Sequence, residues 1–88
     1  MQSGEFHVSS IVVQARPASL PAVTAAIAAL PGAEVHGVDP RGKLVVVVTA
    51  HSERAIGDRL QTINSMDGVF TASLVFHAMD EGVEGGRP

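Results

Sequence analysis

The run Leu44-Val45-Val46-Val47-Val48, entered through Asp39-Pro40-Arg41-Gly42, constrains this chain more than any other feature. Consecutive β-branched side chains are stiff about χ1 and pack well on a pleated surface, so the run is a strand. The four residues before it carry type I turn chemistry: Asp in first place, Pro in second, Gly in fourth. Ala33 to Asp39 leads into that turn, and a hairpin is predicted. A lone hairpin is marginal in water, so other elements must cover one of its faces.

Those elements flank it. His7 to Arg16 is a first strand, with Val8, Ile11, Val12 and Val13 as bulk, and Arg16-Pro17 ends it because a residue before proline is held extended. Ser19 to Leu30 is a helix with Ser19 as N-cap and Pro21 in the first turn, where a missing N–H costs nothing. Leu20, Val23, Ile27 and Leu30 line one stripe, and Pro31-Gly32 stops it. A second helix is predicted from Ser52 to Met66, capped by Ser52, with Glu53 in the positive first turn and Ile56, Leu60 and Ile63 as its buried stripe. Gly57 inside it is read as a mark of close packing, and Gly68 as a left-handed stop. Val69 to His77 is the last strand. The organisation expected is a flexible N-terminus over 1–6, one domain over 7–78, and a disordered acidic tail over 79–88. The order βαββαβ, with right-handed crossovers, predicts an α+β ferredoxin-like split βαβ sandwich. Its four-stranded antiparallel sheet is ordered 4-1-3-2, with two helices on one face.

Composition narrows the function. The chain holds 88 residues, enough for one domain, with three Phe and neither Trp nor Tyr. Base-stacking nucleic-acid binders need exposed rings. A net charge of −3 with six Lys and Arg leaves no basic stripe for phosphates, so nucleic acid is not an expected partner. Absence of Cys removes thiol chemistry and CxxC metal capture. No apolar run reaches the ~18 residues of a membrane span, and residues 1–6 lack the basic and apolar parts of a signal peptide. A cytoplasmic protein without membrane insertion is expected.

Side chains alternate along strands, so parity assigns faces. Phe70, Ala72, Leu74 and Phe76 are the bulkier set of the last strand and are assigned to the helices. Ile11, Val13, Ala15, Leu44, Val46 and Val48 join them. Outward go Ser10, Val12 and Gln14; Lys43, Val45, Val47 and Thr49; Val69, Thr71, Ser73, Val75 and His77; and, on the short second strand, Glu34, His36 and Val38. An apolar centre of Val12, Val45, Val47 and Val75 with a polar rim is what a peptide-docking or weakly self-associating surface needs. The competing reading is that valine is simply a good strand former.

Chemical motifs are missing. There is no GxGxxG, GxxxxGK[ST] or GxSxG segment, so no phosphate cradle or nucleophile elbow, and no enzyme or cofactor is expected. The histidines His7, His36, His51 and His77 lack HxxxH spacing. His36 and His77 fall on opposite edge strands, and parity points His7 and His77 to opposite faces. No metal site is expected. Asp80, Glu81 and Glu84 follow the last strand as a solvated tail or as candidate partners for arginines of a bound peptide.

Three segments carry a resemblance. Ser10-Ile11-Val12-Val13-Gln14-Ala15 is similar to the SLVVQA opening of the NapD family. Gly42-Lys43-Leu44-Val45-Val46-Val47-Val48 and Gly68-Val69 with Ser73-Leu74-Val75-Phe76-His77 resemble the same family in the same order, over residues 7 to 77. Phe76 stands where tyrosine is usual, losing a hydroxyl. Thr49 stands where an acidic residue often follows the valines. The resemblance implies a maturation chaperone that binds the twin-arginine signal peptide of the periplasmic nitrate reductase catalytic subunit precursor. It would delay export until the molybdenum cofactor is inserted. Its site is expected on the open face: Ser10, Val12, Gln14, Val45, Val47, Thr49, Thr71, Ser73, Val75 and His77. An ACT-like small-ligand-binding or dimerisation module is the alternative of a different class, and a small hydrolase would need a cationic phosphate loop that the sequence lacks.

Overall fold

A computed structural model describes residues 6–80 of the chain. Strand β1 spans Phe6–Ala15 and is followed by a 3-10 turn at Pro17–Ser19 and helix α1, Leu20–Ala28. Strands β2 (Ala33–Asp39) and β3 (Lys43–Ala50), helix α2 (Glu53–Asn64) and strand β4 (Val69–Asp80) complete the order βαββαβ. The sheet has four strands in the order β2-β3-β1-β4, and every pairing is antiparallel. This is the ferredoxin-like arrangement expected, with β2 and β4 at the edges.

Local chemistry accounts for most boundaries. Gly42 N–H donates to the Asp39 carbonyl at 2.9 Å, which closes the turn between β2 and β3. Ser52 Oγ accepts from Ala55 N–H at 3.1 Å and caps α2. Gly68, with φ +92°, takes the left-handed conformation that ends the turn into β4. Ser19 departs from expectation: it makes no side-chain capping bond, because the 3-10 turn already places it in helical geometry at φ −94°, ψ −2°. Helix α1 ends at Ala28, before Leu30, and α2 at Asn64, before Met66. Strand β4 instead runs three residues beyond His77, pairing Asp80 with Phe6.

One face of the sheet meets both helices. Ile11, Val13, Leu44, Val46 and Val48 are fully buried against Val23 and Ile27 of α1 and Ile56 and Ile63 of α2. Burying each such side chain contributes roughly 1.5–3 kcal/mol, and together they hold a domain with no aromatic core. Gly57 does not mark close packing, since a Cβ there would meet nothing within 4 Å.

Parity fails in two strands, each time through a bulge. Ser10 pairs with Phe76 but Ile11 pairs with Leu74, leaving Val75 as an extra residue. Gln14 pairs with Thr71 and Ala15 with Val69, leaving Phe70 extra. An extra residue inverts the face of everything beyond it. Ala72 (buried) and Leu74 therefore point to the helices as expected, whereas Phe76 shares the face of Ser10 and Val69 packs against the core. Phe70 is 66% exposed, not buried. In β2, Val35 pairs with Val46 and Gly37 with Val45, so His36 is extra. Val38, expected outward, pairs with Leu44 and shares its side of the sheet.

Candidate functional site, an uncovered sheet face

Directly paired residues of an antiparallel sheet lie on one face. Ser10 pairs with Val47, Val12 with Val45, Gln14 with Lys43 and Val8 with Thr49 across β1 and β3. On the other side Val12 pairs with Ser73 and Gln14 with Thr71. Ser10, Val12, Gln14, Val45, Val47, Thr49, Thr71 and Ser73 thus come together on the face away from the helices. Glu34, opposite Val47, joins them from β2. His36 Nε2 donates to the Glu34 carboxylate at 3.0 Å.

Val75 and His77 are placed differently. Val75 is the bulged residue, 60% exposed. His77 pairs with Ser9, which is fully buried on the helical side, so the imidazole lies on the opposite face from the one predicted. In exchange, Phe76 enters the open face at 56% exposure, beside Ser10. Val8, half-buried opposite Thr49, also belongs to this face. Neither was assigned to it from the sequence: no glycine or proline marks the bulge at Val75 that turns Phe76 outward, whereas Val8 shares the parity of Ser10 and Val12 and was legible. The face offers an apolar centre of Val8, Val12, Val45, Val47 and Phe76 within a rim of hydroxyl and amide groups. Glu81 and Glu84, and the side chain of Asp80, lie outside the described residues.

The other face holds a second group. His7 Nδ1 and His77 Nε2 are 3.1 Å apart, and their rings stack with centroids 5.2 Å apart and planes 12° from parallel. Glu53, in the first turn of α2, brings a carboxylate to within 4.8 Å of both histidines. The expectation that His7 and His77 face opposite ways is overturned, and the bulge at Val75 is the reason.

At the hairpin, Arg41 donates through Nε and Nη2 to the Asp39 carboxylate at 3.2 and 3.0 Å. That pairing, with the Arg41 backbone N–H on the same carboxylate, holds Asp39 below its ordinary value of 3.8. Among the described residues, no helix is long and apolar enough to cross a membrane.

Fold and face define the class: a small ferredoxin-like α+β domain with one sheet face shielded by helices and an apolar one left bare. The NapD protein family matches residues 6–81. Chaperone NapD of Haemophilus influenzae is 32% identical over 78 residues, covering 88% of this chain and 84% of the relative. Chaperone NapD of Paracoccus pantotrophus is 40% identical over 75 residues, covering 85% and 66%. The solution structure of the Escherichia coli Tat proofreading chaperone protein NapD superposes with a TM-score of 0.79 at 31% identity, covering all of this chain and 93% of that one. The chain belongs to the NapD family of chaperones.

Proposed function

We propose that this protein binds the twin-arginine signal peptide of the periplasmic nitrate reductase precursor on its uncovered sheet face and delays export until the cofactor is inserted. The observation that carries this reading is the apolar centre of that face, where Val45 is 39% and Phe76 56% exposed with no helix over them. Proofreading is the role named for the E. coli neighbour, and it supports the reading here.

A twin-arginine leader presents two cations followed by an apolar segment. That segment folds as a helix when an apolar groove receives it. Val12, Val45, Val47 and Phe76 would take the apolar side, and Ser10, Gln14 and Ser73 the polar end. Glu34 and the carboxylates of Asp80, Glu81 and Glu84 would attract the arginines, raising the encounter rate more than the affinity. A leader seated on this face is hidden from the export machinery, which places the work on the cytoplasmic side of the membrane.

Calorimetry with the leader peptide tests the reading. Val47→Asp places a charge in the centre of the face, while Val47 contributes nothing to the buried core. It should weaken binding by tenfold or more, roughly 1.4 kcal/mol, and leave the fold intact. A leader that does not bind the unaltered protein refutes the proposal.

A further inference from the structure

The helical face carries a group that peptide binding does not use. His7 from β1, His77 from β4 and Glu53 from α2 each present one donor atom, and these atoms lie within 4.8 Å of one another. Three separate elements converge here, because the bulge at Val75 turns His77 toward the helices and α2, which begins at Glu53, packs on β4 and β1. His7 is 6% exposed, whereas His77 and Glu53 are open to solvent. Beside them, Glu53, Ile56, Gly57, Leu74 and His77 line a cleft of about 210 Å³.

We infer that His7, His77 and Glu53 form a binding site for a divalent transition-metal ion of the Zn2+ class. Two imidazole nitrogens at ~2.0–2.1 Å from one tetrahedral Zn2+ stand about 3.3 Å apart. His7 Nδ1 and His77 Nε2 are 3.1 Å apart, so the nitrogens are already spaced as a metal requires. The Glu53 carboxylate has to close by no more than about 1.5 Å to reach the same spacing, which rotation of an exposed side chain supplies.

Imidazole with carboxylate suits Zn2+, Ni2+ or Cu2+, whereas Mg2+ and Ca2+ prefer all-oxygen shells. In the metal-free pair one of the two facing nitrogens carries the proton of their hydrogen bond. A metal takes both lone pairs, and that proton moves to the other nitrogen of the same ring, so neutral imidazoles bind without redox change. A fourth position would be left to water or to a side chain from another molecule. Ser9, paired with His77, adds a buried hydroxyl with no hydrogen-bond partner among the described residues. The ion would join α2 to the β1–β4 end without touching the opposite, peptide-facing side.

Titration of untagged, chelator-treated protein with Zn2+ by calorimetry tests this. The expected result is one ion per chain, with a rise in Tm. His77→Ala and Glu53→Gln, both at exposed positions, should each weaken binding by on the order of tenfold or more. His36→Ala, on the distant edge strand β2, should leave it unchanged. Histidine ring nitrogen NMR should show His7 and His77 shifting on addition of Zn2+ while His36 stays still. Absence of binding at tens of micromolar Zn2+, or binding that survives either His77→Ala or Glu53→Gln, would overturn the site. Leader binding by the His77→Ala protein is expected to persist, so the metal site and the peptide face fail or stand separately.

Discussion

Asn64 and Ala72 are joined by two hydrogen bonds: Ala72 N–H donates to Asn64 Oδ1 and Asn64 Nδ2 donates to the Ala72 carbonyl, both at 2.9 Å. The last residue of α2 thereby occupies the outer edge of β4 as a short mimic of a further strand. Free sheet edges invite pairing with other chains, and a side-chain amide that fills one blunts the hazard. Asn64→Ala should lower stability by about 1–2 kcal/mol in chemical denaturation, with backbone groups of buried Ala72 losing both partners. It should also raise the tendency to aggregate, read by light scattering.

Phe76 on the open face separates the bulged register from the simple one. If its ring faces away from the helices, Phe76→Ser leaves stability within ~0.5 kcal/mol and weakens leader binding several-fold. If the ring were a core residue, the loss of stability would be about 3–5 kcal/mol. Denaturation and calorimetry on one protein distinguish these outcomes.

Gly57 sits inside α2 with open space where a Cβ would be. Gly57→Ala should stabilise the protein by about 0.5–1 kcal/mol by restricting the unfolded chain. A fall in Tm would show that the helix packs more closely there.

Arg41 governs the titration of Asp39. The side-chain bonds, then the backbone bond, depress the folded carboxyl below 3.8. A depressed carboxyl contributes stability above its unfolded value and loses it as pH falls through the folded one. The pair is exposed, so the contribution is small and screened by salt. Carboxyl NMR should find Asp39 titrating low in the native chain, and rising toward the ordinary value in Arg41→Ala.

What could be read without coordinates was local. Four valines, an Asp-Pro-Arg-Gly turn and the cap at Ser52 act over a few residues, and their consequences appear where expected. Gly68 is left-handed as expected but shapes the turn into β4, since α2 already stops at Asn64 with Ser65 as its C-cap. The order of strands followed from connection rules applied to those elements. The central part of the open face was legible for the same reason, since β1 and β3 pair in unbroken register from His7 to Gln14.

Tertiary structure decided the rest. The extra residues of strand β4 at Phe70 and Val75 let it follow β1 while Val69 and Ala72 pack into the core and Leu74, 41% exposed, lines the cleft beside α2. No residue near either bulge signals it, because the demand comes from a partner strand far away in the chain. That nonlocal demand sends Phe76 to the bare face, and it turns His77 to join His7 and Glu53. Periodicity determined which segments are strands; pairing across the sheet determined which way their side chains point.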